Sequence, residues 1–530
     1  MNGRDRFGAL LSGQPVDRRP FAPVLSLYGA RLTYHDARSY YTDPKAYVAG
    51  QRAVMDLVEP DVLFAPFALS VEGAAFGGDE HFLPRHAPNL RAPVIRSARD
   101  IARVRRPDVA THPRLQYVRE ALRRLRDAEG HRAMLCGICL SPVDSASLLL
   151  GMEGWMEALL FDPAGARAVL DLTTSFFVDW ACALLADGAD FLALPVAFAN
   201  PVTVTPDMLR ATILPVLRDA FAQVPGPILF HHAGGPIGPF LPLLLDLPNV
   251  AGFALDSRDD LSKARQIVGP GKLLMGNVDG PSLASATPDE VRALAEAALR
   301  AVGDDPLFVL ATASADVPWE TPPANILALR EAVSPTSGVT LCACSVFRDD
   351  ITAVDWGEKP RRTIYLDSAL HVDPHELDDL VGSVIDFERS CGRRVLVAYG
   401  DCAPHLDERC RQGGCARIAS QNCCAAVAGR DGFRRLRRGD AFLFMPEWAG
   451  RWRELLAKAV GGDERMMRES VTDQNERIVF LVRPGQPSPQ TCIDEVAGFF
   501  GLPVSVEVVP ETGFAEALLE ASVKLRAARE

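Results

Sequence analysis

The sequence predicts an α/β protein: an N-terminal (β/α)8 TIM-type barrel followed by a second α/β domain with a mainly parallel sheet. Three observations carry that prediction. At 530 residues and 57.4 kDa the chain is too long for one ordinary domain of roughly 150 residues. Up to about residue 333, eight nearly continuous apolar, β-rich runs recur, each followed by a helical pattern, as expected of parallel strands covered on both faces. The twelve cysteines also divide the chain, because only Cys136, Cys139 and Cys182 precede residue 340.

The eight runs are 21–28, 61–67, 132–138, 190–196, 227–232, 250–256, 272–278 and 306–312. The segments between them read as helices. At one of them Thr287 caps, Pro288 suits the first turn and Glu290 completes a capping box. Residues 77–113, rich in proline and arginine, read as loop. The first domain is thus 1–333, and the turn-rich stretch 334–338 (Ser-Pro-Thr-Ser-Gly) reads as a linker. In the second domain, 339–530, strands are predicted at 339–346, 362–367, 393–399, 441–445, 477–482 and 504–509. Helical patterns lie between them, notably at 374–388 and 494–500.

Composition narrows the function classes. Hydrophobic residues make up 48% and charged residues 23%, which excludes a disordered or collagenous chain. A net charge of −12 gives no basic face for nucleic acid or an anionic membrane. The N-terminus shows no long apolar run, and no stretch of about 18 apolar residues is read, so neither a signal peptide nor a membrane span is expected. A cytoplasmic chain with reduced thiols follows as the expectation. No Walker loop or Rossmann glycine fingerprint is present, which leaves nucleotide cofactors without support.

Active sites of β/α barrels sit at the carboxyl ends of the strands. There the sequence places His231 and His232, Asp256, Asn277 and Asp279, and Ser314 with Asp316; Glu72 and Asp190 are further polar candidates. Glu72, His231, His232, Asp256 and Asn277 form the candidate catalytic set, against the plainer reading of satisfied polar residues and helix caps. In the second domain Cys344, His371, Cys402 and Cys423 offer the thiolate and imidazole donors that suit tetrahedral zinc. Cys402, Cys410, Cys415 and Cys423 are an iron–sulfur alternative, and buried or free thiols are the plain one.

Several stretches resemble known families. Phe21-Ala-Pro-Val-Leu-Ser-Leu-Tyr-Gly-Ala-Arg31, Val71-Glu72-Gly-Ala-Ala-Phe-Gly77, Leu274-Met-Gly-Asn-Val-Asp279 and Val317-Pro-Trp-Glu-Thr-Pro322 resemble the uroporphyrinogen decarboxylase superfamily. The segment from Asp316 to Ile326 is similar to the closing part of its methylcobamide:coenzyme M methyltransferase branch. That resemblance implies a zinc, held by a His-x-Cys motif and a later Cys, which activates a thiol to take a methyl group from a corrinoid. His231 stands at the His position, but the two Cys positions read Ala233 and Ala315. The Arg-rich motif of true decarboxylases, which grips porphyrinogen carboxylates, is replaced by Ser26-Leu-Tyr-Gly-Ala-Arg31.

The second domain resembles the family called domain of unknown function 1638, through Ala343–Asp350, Tyr365–Pro374, Tyr399-Gly-Asp-Cys402, Asn422-Cys423 and Met445-Pro-Glu-Trp448. The resemblances imply a methyltransferase of corrinoid-linked one-carbon metabolism. It would act on a small-molecule methyl donor or acceptor, with the corrinoid (cobalamin) arriving on a partner protein and a zinc in the second domain. A decarboxylase of the superfamily type and a non-catalytic metal- or corrinoid-binding accessory protein are the alternatives.

Overall fold

The computed structural model describes residues 1–437, 440–486, 488–510 and 512–527. It separates into two compact units, Met1–Pro335 and Thr336–Glu530. The first holds seven parallel strands: β1 Val62–Phe64, β2 Met134–Ile138, β3 Phe191–Pro195, β4 Ile228–His231, β5 Val250–Ala254, β6 Leu273–Asp279 and β7 Phe308–Ala313. They pair in simple sequence order, β1 to β7, with helices between them. This is a TIM-like parallel barrel sheet, as the apolar runs predict.

The first predicted strand, 21–28, is corrected by the structure. It makes one parallel bridge, Phe21 to Leu310 of β7. The Ala22 amide donates to the Leu310 carbonyl, and the Phe21 carbonyl accepts from the Asp61 amide just ahead of β1. The segment therefore stands between the two edge strands, but as a short bridge. Pro20 and Pro23 have no N–H to extend a ladder. Asp61, fully buried, receives the Phe21 amide at 2.7 Å and the guanidinium groups of Arg6 and Arg18.

Inside the sheet, alternate residues such as Val62, Phe64, Ile138, Leu229, Met275 and Val309 form one apolar cluster, joined by Phe7 and Leu10 of the helix Gly3–Leu11. The capping box at Thr287 and Glu290 is formed as predicted. One helix, Pro163–Ala186, is long and apolar enough to cross a membrane by length and composition. It carries Arg167, Asp171 and Asp179, and it buries Phe176, Phe177 and Trp180.

The second unit holds two parallel sheets where one was expected. The first contains β8 Val339–Cys344, β9 Arg362–Leu366, β10 Arg394–Ala398 and β11 Cys415–Arg417, in the order β9-β8-β10-β11. The second contains β12 Ala441–Phe444, β13 Arg477–Val482 and β14 Val504–Val508, with β13 in the middle. β11 was not foreseen: it is three residues long and follows Gly413-Gly414.

Candidate functional site

The barrel groups its polar candidates into two clusters. The first forms where β4 and β5 end. His231 is the last residue of β4 and His232 the next, and their rings stack with centroids 4.4 Å apart. The Ala233 amide donates to Nδ1 of His231 at 3.1 Å, which places that ring's proton on Nε2. Burial, then the adjacent His232, depress His231 to about 3, so it stays neutral near pH 7. On His232 the Ser314 amide points at Nε2 from 3.3 Å. The Gly234 amide donates to Nδ1 at 3.1 Å, and Asp256 Oδ2 lies 3.3 Å from the same nitrogen, so the ring is held on both sides with a carboxylate beside it.

Asp256 is buried, yet its carboxyl sits below the ordinary range. Burial pushes it up, but hydrogen bonds from the Arg258 side chain and amide outweigh that. Arg258 Nε donates to Oδ1 at 2.6 Å, and Nη2 donates to Oδ2 and to the Gly234 carbonyl. Asn277 spends its side-chain amide on the carbonyls of Asp256 and Asp259, both at 3.0 Å. It thus holds the loop that carries Asp256.

Glu72 belongs to a second cluster, on the helix Ser70–Ala75 that follows β1. Its carboxylate receives the Leu140 amide at 2.8 Å and the Ser145 hydroxyl at 3.2 Å. Beside it is Asp144, a residue that sequence reasoning missed. The Ser141-Pro-Val-Asp144 helix start was its only signal. Asp144 receives the Ala197 and Phe198 amides and the Ser141 hydroxyl. Burial raises Glu72 to about 8 and Asp144 to about 7, which keeps a proton within this pair near neutrality.

The remaining barrel candidates are structural. Asp190 precedes β3 and pairs with Arg4 and Arg126 while accepting from the Leu135 amide. Asp316 receives the Leu27 and Val317 amides, and burial raises it to about 8. Arg31, in the place of the porphyrinogen-gripping motif, donates to the Trp319 and Thr321 carbonyls at 2.9 Å.

In the second unit Cys344 ends β8, Cys402 follows β10 and Cys423 opens the helix Cys423–Arg437. The three thiols lie within electrostatic reach of one another, and burial is the main cause of the raised Cys344 and Cys402. For Cys423 the hydrogen bond with Cys424 comes first and burial second. His371 gives Nδ1 to the Ser368 carbonyl at 2.9 Å and stacks near Tyr399, 6.2 Å between centroids. Among the described residues the buried Tyr399 hydroxyl has no hydrogen-bond partner, and it lies within electrostatic reach of Cys344 and Cys402. Among the described residues no group of three or more His, Cys, Asp or Glu side chains is placed to hold a metal ion. That finding covers both the zinc set Cys344, His371, Cys402 and Cys423 and the iron–sulfur set with Cys410 and Cys415, neither of which is preassembled.

Comparison with known proteins now bears on this geometry. Residues 2–335 match the family described as uroporphyrinogen decarboxylase (URO-D). The chain belongs to that family. Residues 365–518 match a further family, protein of unknown function DUF1638, so the second unit carries a DUF1638 domain. Among curated relatives, methylcobamide:CoM methyltransferase MtaA of Methanosarcina barkeri is 25% identical, covering 62% of this chain and 96% of its own. Uroporphyrinogen decarboxylase of Coxiella burnetii is 27% identical, covering 62% and 94%. A solved methyltransferase from Methanosarcina mazei shares the fold with a TM-score of 0.56 at 24% identity, covering 63% of this chain and 98% of its own.

The residues at the barrel mouth do not fit the zinc that the resemblance to methylcobamide:coenzyme M methyltransferases implies. Ala233 and Ala315 present methyl groups where soft ligands would stand, and the Ala233 amide is spent on His231.

Proposed function

We propose that the barrel transfers a methyl group between a small substrate and a corrinoid delivered by a partner protein, without a thiol-activating barrel zinc. One observation carries this reading: a neutral His231 with its proton on Nε2, stacked on the His232–Asp256 pair at the carboxyl end of the barrel. A neutral imidazole donates a hydrogen bond to an oxygen, nitrogen or sulfur that gains charge as the methyl group leaves it or is withdrawn from it. His232 and Asp256 fix the orientation of that ring, Arg258 neutralises Asp256, and Asn277 holds its loop. The corrinoid supplies a cobalt that accepts or gives up the methyl group.

The similarity to methylcobamide:CoM methyltransferases favours this over decarboxylation. So does Arg31, whose guanidinium donates to the Trp319 and Thr321 backbone carbonyls. The test is spectral: full-length protein is mixed with methylcobalamin and a panel of thiols and amines, or with cob(I)alamin and methylated donors. Conversion of the cobalamin spectrum that falls at least tenfold in His231→Ala supports the reading. No conversion, together with CO2 release from a carboxylated substrate, transfers the site to the decarboxylase class.

For the second unit we propose a soft-ion site formed by Cys344, Cys402, Cys423 and His371, closing on the ion as it binds. The donors suit zinc. The Nδ1 bond of His371 to a carbonyl leaves Nε2 for a metal, and the unpartnered Tyr399 hydroxyl marks an unfilled polar position. Zinc analysis of the full chain tests it. About one zinc per chain, lost in Cys402→Ala, supports the site, and an unchanged content in that variant removes it.

A further inference from the structure

Cys410 and Cys415 are absorbed by neither site. Cys410 lies in the helix Leu406–Arg411, and Cys415 is the first residue of β11. Their sulfurs are 2.6 Å apart, inside van der Waals contact, although both are free thiols.

The chain between them, Cys410-Arg-Gln-Gly-Gly-Cys415, is folded back by two glycines in the left-handed region, Gly413 at φ +90° and Gly414 at φ +69°. Other bonds fix this turn: Arg389 holds Gln412 through its side chain and its carbonyl, and the Val395 amide of β10 donates to the Gly414 carbonyl at 2.8 Å. The backbone that carries the two cysteines is therefore held by bonds other than the sulfur contact.

The two thiols are not equivalent. Cys410 is half-buried and Cys415 is buried. Cys410 is pulled below the ordinary thiol range, first by its bond from Cys415 and then, against burial, by the guanidinium groups of Arg417 and Arg389; Cys415 is pushed up by the same partnership. One half-buried thiol shifted toward ionisation beside one buried thiol is the arrangement of an attacking and a resolving cysteine.

We propose that Cys410 and Cys415 form a reversible dithiol–disulfide site whose co-reactant is a small-molecule disulfide of the glutathione class. The Cys410 thiolate attacks one sulfur of the small disulfide, forming a mixed disulfide and releasing one thiolate. Cys415 then gives up its proton and attacks the Cys410 sulfur, which releases the second thiolate. The protein pair loses two electrons and two protons, and the small disulfide gains them as two thiols. Excess small thiol runs the same steps backward. The site lies in the segment between Cys402 and Cys423, so oxidation ties the helix Leu406–Arg411 to β11 within that segment.

The experiment uses the full chain equilibrated with mixtures of reduced and oxidised glutathione, quenched by alkylation and mapped by peptide mass spectrometry. The expected result is one internal link, Cys410 to Cys415, formed under oxidising and lost under reducing mixtures. Cys415→Ser should trap one glutathione on Cys410, while Cys410→Ser should leave Cys415 unmodified. In reduced protein Cys410 should alkylate at pH 7 on the order of tenfold faster than Cys182, whose thiol is shifted upward. Two results overturn the proposal: both cysteines still alkylated at the most oxidising ratio, or Cys415 linked instead to its buried neighbour Cys342. The wild-type map decides on its own even where a serine variant fails to fold.

Discussion

Replacing Glu72 by glutamine should make the barrel more stable at alkaline pH and leave it almost unchanged in acid. Glutamine copies the shape of the protonated carboxyl. Its carbonyl keeps the Leu140 amide, and its amide donates to the Ser145 hydroxyl, which can turn to accept. The folded protein holds Glu72 at about 8 against an ordinary 4.5, with burial as the main cause. A carboxyl raised in the folded state binds more protons folded than unfolded. Its contribution is therefore fully present below pH 4.5 and is lost as pH rises toward 8. At about 1.4 kcal/mol per pH unit across that window, the ionised carboxylate costs the fold on the order of 5 kcal/mol by pH 8. Water reaching the site and the partner bonds reduce this, so the working expectation is about 3–5 kcal/mol. Asp144 titrates in both proteins and largely drops out of the comparison. Urea unfolding at pH 5, 6, 7 and 8, followed by hydrogen exchange in peptides covering β2, reads the barrel separately from the second unit. Parallel pH profiles for the two proteins, or a glutamine variant less stable at pH 8, would refute the argument.

Three further outcomes are expected. Asp61→Asn leaves Arg6 and Arg18 facing a neutral group inside the barrel and should cost about 3–5 kcal/mol, with faster deuterium uptake around Phe21; a loss under about 1 kcal/mol counts against the closing role given to that segment. Asp256→Asn removes the carboxylate charge beside His232 and should lower the proposed methyl transfer at least tenfold with an unchanged circular dichroism spectrum; unchanged turnover denies the pair a positioning role. Thr287→Ala breaks the capping box of the helix Pro288–Val302 and should cost about 1 kcal/mol by urea denaturation, and no change would mean the cap is satisfied by water.

Much of the barrel is legible in the sequence because a strand buried on both faces has little freedom in composition. Runs such as 132–138 and 306–312 announce themselves, and the Thr287 cap is a local pattern with a local cause. The failures come from long-range pairing. Residues 21–28 have strand composition, but Pro20 and Pro23 remove the donors a ladder needs, and only Phe21 bridges. The second unit has six apolar runs in a parallel arrangement, but the division into two sheets depends on which strand meets which, and composition does not encode that. Asp190 and Glu72 read alike in the sequence because both are acids near strands. It sits at the amino end, where two arginines and the Leu135 amide use it up. Asp144 was overlooked because a Ser-x-x-Asp helix start is an ordinary cap, and only the fold brings it near Glu72.

The proposed role of the histidine pair can be weighed against what a metal site asks of a histidine. A zinc-bound histidine must be neutral, with its orientation fixed by a second bond. His231 meets both conditions without an ion: burial and the adjacent ring hold it at about 3, and the Ala233 amide fixes its tautomer. His232 is held in place by the Ser314 and Gly234 amides and by Asp256. On the proposed function, with Ala233 and Ala315 in place of soft donors, the barrel mouth would offer a hydrogen bond from His231 instead of a Lewis acid. A hydrogen-bond donor assists a departing or developing anion but does little to lower the pKa of a thiol. The acceptor or donor suited to this barrel is thus one that does not need its thiol activated there. An already nucleophilic or already methylated small molecule meets that condition.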